Sequence, residues 1–185
     1  MADDQLKPWT VISRRTIIRD RWIALEAQTC VAGDGQEIAP FYVLSPSNWS
    51  AILAIDADDH AILVRQYRHG AGKLSLELPG GVIDATDADP AAAALRELSE
   101  ETGYRADHAK PAGTFAPNPH NQTNTMHVFI AEGAVLAGKT TFDIGEAVIV
   151  ERHPVASLGA LIARGEVIHG LHIAAISLAL AALGR

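Results

Sequence analysis

Cysteine is nearly absent from this sequence. Cys30 is the single cysteine in 185 residues, which excludes an internal disulfide framework and fits a reducing compartment. Long apolar runs are also missing, because the longest candidate, residues 171–183, is alanine-rich and too short to span a bilayer. The first residues, MADDQLKPW, lack the basic-then-apolar order of a secretion signal. We therefore expect a cytoplasmic protein that has no membrane partner.

Positive charge is scarce. Lysine and arginine number 15 against 22 aspartates and glutamates, which gives a formal net charge of −7. Proteins that hold a nucleic-acid backbone through their overall field need clustered lysine and arginine, so we expect no nucleic-acid partner. A small anionic substrate is compatible with this charge, because metal ions and a few arginines reverse the field inside an acidic pocket. The 48% hydrophobic share is typical of a globular protein with a real core.

The most informative stretch that is present covers residues 78–104, LPGGVIDATDADPAAAALRELSEETGY. It opens with a tight turn at Gly80-Gly81, where the backbone can approach a ligand closely. Asp89 is a good N-cap and Pro90 suits the first helical position, so a helix is predicted to begin there. Gly103 is predicted to end it.

Three carboxylates lie on one face of this predicted helix. Glu97, Glu100 and Glu101 have i, i+3 and i+4 spacing, and like charges at that spacing repel each other. A hard divalent cation such as Mg²⁺ or Mn²⁺ would convert the repulsion into coordination. A solvated acidic face is the alternative interpretation of these residues taken alone. Taken alone, these residues favour the solvated face; the surrounding residues, described next, favour the metal site.

Residues 96–104, RELSEETGY, resemble the second half of the signature box of the Nudix hydrolase family, G-x5-E-x7-R-E-U-x-E-E-x-G-U, where U is a bulky apolar residue. Every fixed position of that half is present. The first half departs from the pattern, since Gly81 lies 15 residues before the arginine (96 − 81) where the pattern has 14. Ala88 occupies the slot of the early acid, which is displaced to Asp87 or Asp89.

The resemblance implies a Nudix-type α/β/α sandwich of the α/β (α+β) class, with a mixed sheet. Residues 47–185 would form the Nudix domain, and two late helices should cover its sheet. Residues 1–46 contain three β-rich runs, which predict a small antiparallel sheet. In the ADP-ribose pyrophosphatase branch a similar sheet is exchanged between two subunits, which implies a homodimer. A plain extension of the main sheet is the alternative.

The run VRQYRHGAGKLSLELPGG, residues 64–81, is similar to the segment that precedes the box in hydrolases of ADP-ribose and nucleotide sugars. This similarity makes Arg68, with Arg65 nearby, a candidate phosphate ligand, because a guanidinium offers a fork of donors. A surface arginine is the alternative. Pro119 follows the box by 15 residues, as a proline does in the ADP-ribose-preferring branch. Trp22 is a further candidate for substrate binding, because Trp22, Phe41 or Tyr42 supplied by a second subunit could stack on a nucleobase.

The resemblance also implies roles for the acidic residues. Arg96 would orient the carboxylates, and Glu146 would join the metals or act as the general base, with Asp143 or a box carboxylate as alternatives. The implied ligands of Mg²⁺ or Mn²⁺ are the Gly80 carbonyl, Glu97, Glu100 and Glu101.

The implied reaction is attack by water on one phosphorus of a nucleoside diphosphate linked to another moiety. With ADP-ribose the products would be AMP and ribose 5-phosphate. A different nucleotide sugar such as GDP-mannose is an alternative substrate. A catalytically silent module that binds a nucleotide is an alternative of another class, although it would have no need for crowded carboxylates.

Overall fold

The computed structural model describes residues 7–140 and 147–185. The described residues form two compact units. One contains the chain up to Ser47 together with Ala116–Asn124, and the other contains Asn48–Phe115 and Thr125–Arg185. Among the described helices, none has both the length and the apolar character that crossing a membrane requires.

The smaller unit is built on three antiparallel strands, β1 (Thr10–Arg19), β2 (Ala24–Val31) and β3 (Glu37–Leu44), in the order β1-β2-β3. The three predicted β-rich runs are confirmed. They form a sheet of their own and do not extend the main sheet. Gly35 closes the β2–β3 turn with a φ of +89°, a conformation that favours glycine. Every residue of β1 is exposed.

The larger unit contains a mixed sheet in which the described strands follow the order β12-β5-β4-β10-β9. Strands β4 and β10 are parallel and the other pairs are antiparallel, with β6 added to β5 and β7 added to β4. Strands β8 and β11 pair separately. The strands are β4 (Trp49–Ile55), β5 (His60–Arg68), β6 (Lys73–Glu77), β7 (Gly80–Val82), β8 (Tyr104–Arg105), β9 (Lys110–Phe115), β10 (Met126–Glu132), β11 (Val135–Leu136) and β12 (Val148–Pro154).

Helices cover both faces of this sheet, which confirms the predicted sandwich. They are α1 (Pro90–Thr102), α2 (Leu158–Ala163) and α3 (Gly170–Ala182). Successive residues of a strand point to opposite faces, so β4 supplies both cores. Ile52 packs with Leu98 of α1, whereas Leu53 packs with Leu158 of α2 and Ile176 of α3.

The ends of α1 lie where the local signals predicted them. The Asp89 carboxylate accepts a hydrogen bond from the Ala92 N–H at 2.8 Å and caps the helix. Gly103 has a φ of +73° and its N–H donates to the Ser99 carbonyl at 3.0 Å. The two predicted late helices are also present, and α3 begins at Gly170 because the His169 side chain caps it by accepting the Leu171 N–H.

Candidate active site

Gly80 and Gly81 begin strand β7, which pairs with β4, so they do not form the tight turn that the sequence predicted; the chain bends just before them, at Pro79. This bend and the two glycines, called the glycine turn below, lie between β4 and α1 with almost no space around either glycine. A Cβ on Gly80 would come within 2.3 Å of the Ser50 carbonyl oxygen in β4. A Cβ on Gly81 would come within 2.5 Å of Glu97 Oε1. The absence of side chains here therefore lets the helix bring a carboxylate directly against the turn.

The three helix carboxylates differ in their surroundings. Glu101 is buried, with 7% of its surface exposed, and its Oε2 accepts the Gly80 N–H at 3.0 Å. Glu97 lies against Gly81, one helical turn earlier. The Glu100 side chain is 45% exposed. The predicted shared face is thus confirmed, with two carboxylates at the glycine turn and the third nearer solvent.

Arg96 lies among these acids and relieves their repulsion. Its Nη1 donates to Glu97 Oε1 and to Glu100 Oε2, both at 2.9 Å. On its other side, Nε and Nη2 donate to the two Asp87 oxygens at 3.0 Å each, and Nη2 also donates to the Val82 carbonyl at 3.2 Å. The bond to Asp87 is the main cause that raises the pKa of Arg96. Its charge is therefore fixed in place.

Asp87 supplies the early acid that the one-residue longer loop displaces. Its partnership with Arg96 lowers the pKa of its carboxyl, so Asp87 is ionised near neutral pH. The Asp84 N–H adds a hydrogen bond to Asp87 at 2.8 Å. Asp89, the other candidate for this role, is the helix cap. The altered loop thus still places a carboxylate opposite Arg96.

The donor chemistry fits a hard divalent cation. Carboxylate oxygens are the ligands that Mg²⁺ and Mn²⁺ prefer, and the missing Cβ of Gly81 provides the space that brings Glu97 to the turn. Within residues 7–140 and 147–185, no three acidic, histidine or cysteine side chains are grouped closely enough to hold an ion as they lie. Arg96 draws Glu97 and Glu100 towards itself, while Glu101 accepts from Gly80. The site therefore has suitable donors, arranged around an arginine.

Comparison with known families matches both units. The model of the NUDIX domain matches residues 45–170. This chain belongs to the Nudix family. The model of the nucleoside diphosphate sugar hydrolase N-terminal domain matches residues 9–44.

Curated relatives of this Nudix chain act on several nucleotide compounds, according to their names. A CMP-5'-(N-acetyl-N-hydroxy-3-aminopropyl)phosphonate hydrolase of Streptomyces rubellomurinus is 30% identical over 135 residues, which are 72% of this chain and 64% of that protein. An ADP-ribose pyrophosphatase of Mycobacterium tuberculosis is 30% identical over 127 residues, 68% of this chain and 61% of that protein. The ADP-ribose pyrophosphatase of Bacillus subtilis is 36% identical over 101 residues, 54% of each. The matches thus span less than two thirds of the length of these relatives.

Among solved structures, a crystal structure of an ADP compounds hydrolase superposes on this Nudix chain with a TM-score of 0.82. The match covers 97% of this chain and 98% of the other, at 24% sequence identity. It supports the fold of the whole chain.

Arg68, the predicted phosphate ligand of this Nudix site, is paired with a buried acid that the sequence analysis missed. Its Nε donates to Glu77 Oε1 at 2.9 Å, and Nη2 donates to Glu77 Oε2. Burial alone would raise the pKa of Glu77, but the hydrogen bonds from Arg68 and the nearby His172 ring outweigh it and lower that pKa. Two features of the sequence could have indicated this pair: Glu77 is a charged residue at the end of an apolar strand, and His172 lies in the otherwise apolar helix α3.

Arg65, predicted to assist Arg68, has other partners. Its guanidinium donates to both Glu151 oxygens and, at 3.0 Å, to Glu166 Oε2. Neither acid belongs to the Nudix box. Its role in substrate binding stays a prediction.

The remaining predicted residues fall into two groups: Trp22 and Pro119 belong to the smaller unit, and Asp143 and Glu146 are not among the described residues. Trp22, in the turn between β1 and β2, is 78% exposed, and the Arg21 guanidinium lies 4.1 Å from its ring centroid. Pro119 belongs to the loop of the smaller unit, next to His120, whose ring packs edge-on against Phe41. Glu146 and Asp143 fall outside the described residues. The roles assigned to them stay predictions.

Replacement of Asp87 should destabilise the protein. Asp87→Asn removes the charge that holds Arg96, and we expect a loss of about 1–3 kcal/mol in the free energy of unfolding at pH 7, measured by urea denaturation. Because folding lowers the pKa of Asp87, its contribution is present at neutral pH and is lost as the pH falls through that lowered pKa. The difference from the unmodified protein should therefore shrink in acid.

Asp84→Asn is the matched control for this variant. Asp84 lies 3.7 Å from the same guanidinium but its side chain is 62% exposed, so we expect a change within about 0.5 kcal/mol. Equal losses in the two variants would contradict the special role of Asp87.

The two glycines of the turn should respond differently to alanine. In Gly81→Ala the new methyl meets the movable end of Glu97, so we expect a folded protein whose affinity for Mn²⁺ falls about tenfold or more, measured by electron paramagnetic resonance. In Gly80→Ala the methyl meets the β4 backbone, so we expect poor folding. Gly70→Ala, where nothing lies within 4 Å, is the control and should leave the affinity unchanged. Normal Mn²⁺ affinity in Gly81→Ala would show that Glu97 holds no metal.

Proposed function

We propose that this Nudix chain is a metal-dependent hydrolase of a nucleoside diphosphate linked to another moiety. Our first candidate substrate is ADP-ribose, which would give AMP and ribose 5-phosphate. The observation that carries the proposal is the meeting of Glu97 and Glu101 with the Gly80-Gly81 turn, beside an arginine that is itself held in place. The similarity to two ADP-ribose pyrophosphatases supports the choice of substrate.

The metal would be Mg²⁺ or Mn²⁺. Glu97, Glu100 and Glu101, with the Gly80 carbonyl, would hold it. When bound, a divalent ion supplies Lewis-acid stabilisation of phosphoryl charge and a more acidic water. Arg96 keeps Glu97 and Glu100 from repelling each other, and Asp87 prevents that arginine from turning away.

Other residues would handle the substrate and the proton. Arg68, fixed by Glu77, would bind phosphate oxygens with its charged fork. We assign the general base to Glu146, with Asp143 and a box carboxylate as alternatives. Trp22 and Pro119 would contribute on the nucleoside side.

A substrate panel tests this proposal. ADP-ribose, GDP-mannose and other nucleotide sugars should be incubated with Mg²⁺ or Mn²⁺, and the release of nucleoside monophosphate measured with and without a chelator. The match to a nucleoside diphosphate sugar hydrolase N-terminal domain favours including the sugars. We expect chelator-sensitive release that is fastest for ADP-ribose. Binding without release of any product would support the silent nucleotide-binding module instead.

The box carboxylates provide the internal test. Glu100→Gln and Glu101→Gln keep the shape and hydrogen-bonding reach of each side chain but remove the charge, so turnover should fall by orders of magnitude while thermal stability changes little. Glu132→Gln is the control, because its carboxylate forms an exposed ion pair with Lys110 away from the box. Unchanged turnover in either box variant would reject the assigned roles.

We also propose a homodimer in which the small N-terminal sheet contacts a second copy. All of β1 is exposed, and it carries the apolar side chains Ile12, Ile17 and Ile18 on its surface. Sedimentation equilibrium should therefore give twice the chain mass of 19.7 kDa. Ile12→Lys, at a position 61% exposed, should shift the mass towards the monomer without unfolding the chain. A monomer in the unmodified protein at micromolar concentration would contradict the proposal.

A further inference from the structure

Glu77 is a fully buried carboxylate at the end of β6, three residues before Gly80. A buried charge is costly unless charged or polar partners compensate for it. Arg68 of β5 hydrogen-bonds to Glu77, and the His172 ring of α3 lies beside it, with Nε2 2.9 Å from Glu77 Oε2 but not hydrogen-bonded to it in the described residues. Glu77 therefore connects Arg68, the predicted phosphate ligand, to α3, which lies on the other face of the sheet from α1.

His172 has a second contact, and this contact fixes its tautomer. The ring is 1% exposed, and its Nδ1 accepts a hydrogen bond from the Leu78 N–H at 3.2 Å. A nitrogen that accepts carries no proton, so the proton of the neutral ring is on Nε2, the atom that faces Glu77. The two ring nitrogens thus serve two different neighbours.

The backbone of residues 78–80 is hydrogen-bonded by three different elements of the fold. The Leu78 N–H is bound by His172 of α3. The Pro79 carbonyl accepts the Ile52 N–H of β4 at 3.0 Å, and the Gly80 N–H donates to Glu101 of α1 at 3.0 Å. A shift of this segment would therefore move Gly80 and Gly81 relative to the helix carboxylates.

We propose that His172 is a positioning residue with two separable effects. Through Leu78 it sets the glycine turn against the carboxylates of α1, and through Glu77 it sets the orientation of Arg68. The inference rests on the proposed function, because that function assigns the turn to the metal and Arg68 to phosphate. A core histidine that contributes only stability is the competing explanation.

Two conservative variants separate the effects. The shorter asparagine side chain reaches only the place of Nδ1, and the longer glutamine side chain reaches the place of Nε2. In His172→Asn the amide lies near the place of Nδ1 and retains an acceptor for Leu78, but loses Glu77. We expect the substrate KM to rise about tenfold while the affinity for Mn²⁺ stays within about twofold. In His172→Gln the amide nitrogen reaches Glu77 but the acceptor for Leu78 is lost. We expect the Mn²⁺ affinity and kcat to fall about tenfold with KM nearly unchanged.

Hydrogen exchange and a neighbouring histidine control these measurements. The Leu78 amide should exchange faster in His172→Gln than in His172→Asn. His169→Asn retains the N-cap acceptor of α3 but removes the ring that packs edge-on against His172, with centroids 5.0 Å apart. It therefore controls for lost packing on the His172 ring while both His172 contacts remain, and we expect KM, kcat and Mn²⁺ affinity within about twofold of the unmodified protein. If both His172 variants lower the melting temperature but leave KM, kcat and Mn²⁺ affinity unchanged, His172 is only structural and the proposal is wrong.

A measurement on the unmodified protein keeps the inference testable if a variant does not fold. Long-range ¹H–¹⁵N correlation of the His172 ring should show the Nε2–H tautomer, and an Nδ1–H tautomer would overturn the proposal. The tautomer, the amide exchange and the Mn²⁺ affinity need no substrate. If they behave as expected while no nucleotide compound is hydrolysed, the proposed function alone fails. If hydrolysis occurs and both variants match His169→Asn, the positioning role alone fails.

Discussion

The ion pairs of Arg96 are the interaction on which the rest of the site depends. Carboxylates one helical turn apart repel each other, and a cation among them offsets that repulsion. Arg96 bonds to Glu97 and Glu100, and Asp87 fixes it from the loop before the helix. Helix α1 can therefore keep its acids in the folded chain before any metal binds, but Glu97 and Glu100 have to turn away from Arg96 to coordinate one.

The sandwich gives this arrangement a rigid base. The strand β4 packs α1 on one face and α2 and α3 on the other, and the glycine turn is added to its edge through β7. Gly80 lies against the β4 backbone and Gly81 lies against the Glu97 side chain of α1, so the missing side chains let this segment sit closely between strand and helix. The buried Glu77 extends the same support to Arg68. The cationic Arg68 thus comes from the strand before this turn, and the anionic Glu97 and Glu101 come from the helix after it.

Arginine residues that are close in sequence have different roles here. Arg68 pairs with a fully buried acid beside the turn, whereas Arg65 pairs with Glu151 of β12 and with Glu166 between α2 and α3. The strand alternates its side chains, so residues three apart point to opposite sides. An arginine on this strand is therefore a good candidate for a phosphate ligand only once its neighbours in the fold are known.

Local signals in the sequence determined the start of α1 after Asp89, its end at Gly103 and the shared face of the three glutamates, because each depends on residues within a few positions. They did not determine the conformation of Gly80 and Gly81, which pair with β4 as the start of β7 and do not form a tight turn. The choice between Asp87 and Asp89 required the tertiary structure, since the longer loop makes spacing alone ambiguous. The partnership of Glu77 with His172 also required it, because no local rule joins a strand residue to a helix residue 95 positions later (172 − 77). Only packing of α3 against the sheet brings those two side chains together.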